Sequence, residues 1–207
     1  MKTRSRAVIL AGGGSSRMGR DKATLVDAHG NYLVKRLIGQ LSPLFHEVVL
    51  VRRSPEDALP FDVGPARILS DLPGRDGPLL GICSGMQGMA AGYCFVTACD
   101  MPYLHPRLLV YMHNRLLAEG KMVCVGEYEG YLQPFCAYYH SSLLPAMEKA
   151  AGHSSPKKFI QAQDPLIVSE GEIRRITREE NPYFNMNTPE EYVAYLSWIK
   201  EAGEGNW

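Results

Sequence analysis

No stretch of this 207-residue chain approaches the ~20 consecutive apolar residues that a membrane helix needs, so no spanning segment is expected. Neither sign of charge is in excess. Lys plus Arg and Asp plus Glu both total 22, which leaves no basic field for nucleic acid and no acidic tail, so any anion site must be local. Cysteine is sparse and unpatterned. The five (Cys83, Cys94, Cys99, Cys124, Cys136) are odd in number, lack C-x-x-C spacing and sit mostly in apolar runs. They read as small buried hydrophobes of a reducing compartment rather than as disulfides or metal ligands. The six histidines show no H-E-x-x-H spacing, and no Ser–His–Asp arrangement can be read, which removes zinc-enzyme and serine-hydrolase readings. Basic residues precede the first apolar run, but glycines end that run too early for a signal peptide. The expectation is a cytoplasmic protein with no membrane or nucleic-acid partner.

What is present is concentrated at residues 7–25, AVILAGGGSSRMGRDKATL. Ala7-Val8-Ile9-Leu10-Ala11 is apolar and partly β-branched, as a buried parallel strand should be, and it breaks abruptly into Gly12, Gly13 and Gly14. Glycines let main-chain N–H groups approach a ligand, while Ser15, Ser16, Arg17 and Lys22 add donors and positive charge. That is the chemistry of a polyphosphate cradle, although a loose turn is equally consistent with the glycines alone. A P-loop would need Lys and Ser/Thr after Gly19, where Arg20 and Asp21 stand. A Rossmann fingerprint would need a third glycine where Arg17 stands.

Along the chain, 31–44 carries leucines and isoleucine at helical spacing, and 47–51 returns to an apolar strand. Arg67 to Ser70 predicts a short strand, 77–91 a helix starting near Pro78, Tyr93 to Ala98 a strong strand, 104–119 a helix and 122–125 a strand. This alternation predicts an α/β fold, a three-layer α/β/α sandwich on a mostly parallel, Rossmann-like sheet. Beyond residue 126 the rhythm changes. Two short β-like pieces surround Gln133-Pro134 within 128–139, followed by a piece at 142–151, a Gly/Ser-rich break and a short amphipathic piece near 157–161. A final helix is capped by Asn187 or Thr188, with Pro189 in its first turn. Length fits one domain, 1–207.

In an open parallel sheet ligands bind beyond the carboxyl ends of the strands, where these readings put the glycine loop, Asp71 and Asp100. Asp100 follows an apolar strand and precedes Met101-Pro102, a position from which a carboxylate can hold a hard cation against phosphate oxygens; a turn-capping aspartate is the alternative. Asp71 lies in SDLPGRDGPLLGI; it can accept two hydrogen bonds from a guanine edge or serve as a plain turn residue. Asp76 reads as an N-terminal helix residue. Lys22 and Arg17 are the cations expected at phosphates. Arg52 and Arg53, after the second strand, would suit a 2′-phosphate and an NADP-dependent reductase, a distant reading because the fingerprint fails. Gln133, Asn185 and Asn187 are candidates for a second substrate or a metal-bound water, and each is equally readable as a turn or cap residue.

The stretch at residues 10–22 resembles L-A-G-G-x-S-x-R-M-G-x-D-K, the loop of the MobA-like nucleotidyltransferases, with one glycine more. LAGGGSSRMGRDK, DLPGRDGPLLGICSGM, ACDMPYL, LQPFCAYY and NMNTPEEY occur in the order found in the molybdenum cofactor guanylyltransferases. The resemblance implies a nucleotide-diphospho-sugar transferase type of fold, with 1–126 as the nucleotide-binding half and 127–207 as the second-substrate half with the C-terminal helix. It implies GTP, Mg²⁺ and molybdopterin as substrates and cofactor, attack of the molybdopterin phosphate on the α-phosphorus, and loss of pyrophosphate. Transient contacts with other molybdenum cofactor biosynthesis proteins or acceptor molybdoenzymes would suit that role. Leu10, Ala11, Gly12 and Gly13 would meet the nucleotide, Lys22 the phosphates, Asp71 the guanine and Asp100 the metal, with Arg17, Lys22 and Asp100 as the catalytic set. Some members carry asparagine where Val51 stands here, so base choice is less firmly implied than reaction type. A cytidylyltransferase on a small phosphorylated substrate, and a non-catalytic nucleotide-binding module, are the competing readings.

Overall fold

The computed structural model describes residues 3–12, 21–54, 58–73, 77–178 and 181–202. Strands β1 (Thr3–Leu10), β2 (Phe45–Arg52), β3 (Arg67–Ser70), β4 (Tyr93–Ala98), β5 (Val123–Tyr128), β6 (Tyr131–His140) and β7 (Leu166–Val168) form one seven-stranded sheet. Its order is β3-β2-β1-β4-β6-β5-β7. All neighbours run parallel except β6, which is antiparallel to both β4 and β5. The helices are α1 (Leu33–Leu41), α2 (Pro78–Met86), α3 (Pro106–Glu119), α4 (Leu144–Ala150), α5 (Pro156–Gln161), α6 (Glu170–Thr177) and α7 (Pro189–Ala202).

Strand alternation sorts the core into two layers. Ala7, Ile9 and Phe95 face α1, α3 and α6 through Leu37, Met112 and Ile173, whereas Val8, Cys94 and Val96 face α2, α4 and α5 through Ile82, Met147 and Ile160. This is the expected three-layer sandwich. A third cluster, Leu25, Leu33, Met186, Tyr195 and Ile199, fastens α7 back onto the first half of the chain. Helix α2 lies unusually close to β1. A Cβ on Gly85 would sit 2.3 Å from a Val8 methyl, so only glycine lets the helix approach the stiff, β-branched strand.

Several sequence-based boundaries shift for identifiable reasons. The helix expected over 77–91 stops at Met86, where the chain turns through Gly88 at φ +63°. The two β-like pieces around Gln133-Pro134 are one strand. Pro134 lacks a ladder donor, and it falls where β6 is irregular against β5, between Leu132 and Ala137, and before pairing with β4 begins at Cys136. Strand β7 and helix α6 were not anticipated. All five cysteines are buried and unbridged, and burial pushes the thiols of Cys94, Cys124 and Cys136 up to about 12. They behave as apolar core. Among the described residues no helix is long and apolar enough to cross a membrane.

Candidate functional site

The chain winds outward from β1 through β2 to β3 and then returns to place β4 on the other side of β1. The crevice of a doubly wound sheet opens at such a reversal, outside the carboxyl ends of the strands. The ladder is carried past the strand ends by three bonds. The Ala11 N–H donates to the Val51 carbonyl at 2.8 Å, the Cys99 N–H to the Leu10 carbonyl at 2.9 Å, and the Asp71 N–H to the Arg52 carbonyl at 2.8 Å. Beyond them lies a cavity of about 560 Å³, within the size range of small-molecule sites.

Leu10, Ala11, Gly12, Lys22, Asp100, Asn185 and Asn187 all line this cavity. Gly12 presses against the next strand's backbone: a Cβ there would be 2.9 Å from the Arg53 nitrogen. The Lys22 ammonium donates to Asp100 Oδ2 at 2.7 Å and to Asn187 Oδ1 at 3.0 Å. Asn187 is thus not the helix cap; Thr188 Oγ1 accepts from the Glu191 N–H at 3.2 Å, and the Glu191 carboxylate accepts from the N–H groups of Asn187 and Thr188. The Met186 N–H donates to the Asp100 carbonyl at 2.8 Å, which welds the 185–187 segment to the end of β4.

The remaining candidates fall differently. Asp71 and Gln133 are not among the lining residues. Asp71 stands one layer back, its Oδ1 3.6 Å from where a Cβ on the lining residue Gly81 would be. Gln133 donates to the Tyr131 carbonyl at 3.3 Å near the exposed end of β6. Phe135, two residues on, lines the cavity instead; the irregular register of β6 hides it from a period-two reading. Gly13, Arg17 and Asp76 lie outside the described residues.

Two arrangements bear on the chemistry. Cys99 lines the cavity, yet burial and the adjacent Asp100 charge raise its thiol, so it stays protonated and is no nucleophile. Arg52, one of the pair considered for a 2′-phosphate, turns its guanidinium inward onto the Ala11 carbonyl at 2.7 Å and the Asp21 carboxylate at 2.7 and 3.3 Å. That engagement takes Arg52 out of the pair read for a 2′-phosphate, while Arg53 lines the cavity. For a divalent cation the donor set is one carboxylate, Asp100, and the Asn185 amide oxygen, which is buried and has no hydrogen-bond partner among the described residues. One carboxylate with few further oxygens is what Mg²⁺ takes when phosphates and water complete its shell.

The comparisons with known proteins agree with this fold. A protein from Pelotomaculum thermopropionicum named probable molybdenum cofactor guanylyltransferase is 36% identical over 190 residues, covering 90% of this chain and 89% of that one. A Syntrophotalea carbinolica protein named molybdenum cofactor guanylyltransferase is 33% identical, covering 90% of this chain and 88% of its own length. Among solved structures, molybdopterin-guanine dinucleotide biosynthesis protein A from Archaeoglobus fulgidus superposes with a TM-score of 0.81 at 23% identity, over 95% of this chain and 99% of that one. Residues 7–166 match the model of the MobA-like NTP transferase domain, and the chain belongs to that family of nucleotidyltransferases.

Proposed function

We propose that the protein transfers GMP from GTP to molybdopterin, forming the guanine dinucleotide form of the molybdenum cofactor and releasing pyrophosphate. The observation that carries this reading is the convergence of Lys22, Asp100 and Asn187 on one bonded cluster in the crevice between β1 and β4, in a chain whose relatives are named for that activity. Phosphate is already ionised at neutral pH, so the nucleophile needs no general base, and catalysis reduces to positioning and charge neutralisation. The ammonium of Lys22, drawn off Asp100 by an incoming triphosphate, would neutralise the leaving pyrophosphate together with Arg17. The backbone at Leu10 to Gly13 would hold the nucleotide, with Asp71 reading guanine past the bare Cα of Gly81. Asp100, with the Asn185 amide oxygen, would hold Mg²⁺, which when bound neutralises charge on the phosphate oxygens. From 127–207, Phe135, Asn185 and Asn187 line the cavity, and Asn185, Asn187 and Gln133 would receive the second substrate. The buried thiols suit the reducing cytoplasm in which such a cofactor is made.

The test is twofold. Wild-type protein with GTP, Mg²⁺ and molybdopterin should release pyrophosphate, whereas turnover with CTP alone would replace the substrate assignment by a cytidylyltransferase. Asp71→Asn presents an amide donor to the guanine edge and should weaken GTP by roughly 1.5–3 kcal/mol while leaving the magnesium response intact. An unchanged preference for GTP over ATP and CTP would take base recognition away from Asp71.

A further inference from the structure

Arg52 ends β2 with its side chain only 5% exposed, between the cavity-lining residues Val51 and Arg53, yet it is not itself a lining residue. Nη1 donates to the Ala11 carbonyl at 2.7 Å and to Asp21 Oδ1 at 3.3 Å, and Nη2 to Asp21 Oδ2 at 2.7 Å. Ala11 and Asp21 are ten positions apart in sequence and bracket the glycine-rich stretch, so one planar fork fixes both of its ends. Asp21 is in turn the cap of a single 3-10 turn, Lys22–Thr24, accepting from the Ala23 N–H at 2.9 Å. Lysine is a compact charge on a flexible stem, so where its ammonium can reach depends on the backbone at its root. At Lys22 that root is set by Asp21, and Asp21 is set by Arg52. The same residue's carbonyl receives the Asp71 N–H at 2.8 Å.

We propose that Arg52 is the positioning residue of the polyphosphate subsite. It touches no substrate, and by tying Ala11 to Asp21 it brings the Gly12 backbone and the Lys22 ammonium to bear on one phosphate chain. The inference rests on the nucleotide reading of the cavity. Its particular consequence is that Arg52 matters in proportion to the number of phosphates, since what it aims are phosphate donors and not the base.

Calorimetric titration of GTP, GDP and GMP, each with Mg²⁺, into wild type, Arg52→Lys and Arg52→Met tests this. Lysine keeps the charge and loses the fork, so GTP affinity should fall about tenfold in Arg52→Lys, with GMP falling less than about twofold and GDP between. Arg52→Met should show the same ladder more steeply. On a Lys22→Ala background Arg52→Lys should cost far less of the GTP affinity, because the route through Lys22 is already gone. Equal losses across the three nucleotides, additive losses in that double variant, or unchanged affinities in folded protein overturn the proposal. Should Arg52→Met fail to melt cooperatively, Asp21→Asn reads the same ladder from the other partner. The wild-type titrations separate the two readings: preference for another base corrects the guanine assignment and moves the phosphate ladder to that base, whereas binding of no nucleoside triphosphate overturns the nucleotide reading and this one with it.

Discussion

Asp21 and Lys22 are adjacent, carry opposite charges, line the same cavity and enter two different ion pairs. The Arg52–Asp21 pair is a two-pronged fork with a buried guanidinium that also holds a main-chain carbonyl. The Lys22–Asp100 pair rests on one bond, with both side chains accessible (18% and 17%). Of the three donors on the Lys22 ammonium, the described protein partners take two. The first pair is held by two bonds from one buried guanidinium that a third bond ties to the main chain, so it serves as frame although Asp21 itself is 41% exposed. The second is inexpensive to rearrange, because a phosphate oxygen and a cation can replace each member's partner without stranding a buried charge. On the proposed function, opposite charges next to each other in sequence divide into scaffold and working surface according to what each partner has left to offer.

The strongest way to break this contrast is to remove the working pair. Lys22→Ala and Asp100→Asn should each lower kcat/KM by at least about 100-fold, with partial recovery of Asp100→Asn at high Mg²⁺ and a melting temperature within about 4 °C of wild type. Loss of the cooperative melt in these variants would move the pair into the frame. Asp21→Asn should do the reverse in kind: it leaves the Arg52 charge without its anion and should cost about 1–3 kcal/mol of stability in urea titration.

Acid sharpens the difference. Burial pushes the Asp21 carboxyl up, but the Arg52 hydrogen bonds, the Ala23 N–H and the Arg52 charge outweigh it and hold the group below the usual range. A carboxyl depressed on folding stabilises the native state above its unfolded value of ~3.9 and loses that contribution as pH falls through the folded value. The stability gap between wild type and Asp21→Asn should accordingly be full at pH 6 and close under acid. Glu172, held down to about 2 chiefly by the Ser169 hydroxyl that it caps at the start of α6, should lose its contribution in the same direction, below about pH 4.5. The smallest effect belongs to an exposed pair: Glu119→Gln, opposite Arg115 on α3, should change stability by less than about 1 kcal/mol.

These distinctions were unevenly legible in the chain. The strand from Ala7 to Ala11 and the strand before Asp100 announce themselves because a buried parallel strand has no polar face and its end is abrupt. The direction of Arg52 does not, since alternation says that Arg52 and Arg53 take opposite faces but the reason for the choice, Asp21, lies 31 positions earlier. Asp71 follows its strand as expected, yet whether it lines the cavity or backs it depends on how closely α2 packs, and that is set by Gly81 and Gly85 against β1. Strand β7, three residues long, carries too little pattern to be recognised. Helix α6 did have a readable start in Ser169 and Glu172, which form a reciprocal capping box.

The wall formed by Asn185 to Asn187 has a kinetic meaning. Lys22 and Asn187 meet across 165 positions, and Tyr192 donates to the Val26 carbonyl across 166. Contacts of such separation incur the largest loop-closure entropy and form late. A chain emerging from the ribosome at ~5–20 residues per second has every strand of its sheet available before this last segment exists. The emerging chain accordingly carries Lys22 and Asp100 before the Asn187 and Met186 bonds that fasten them can form.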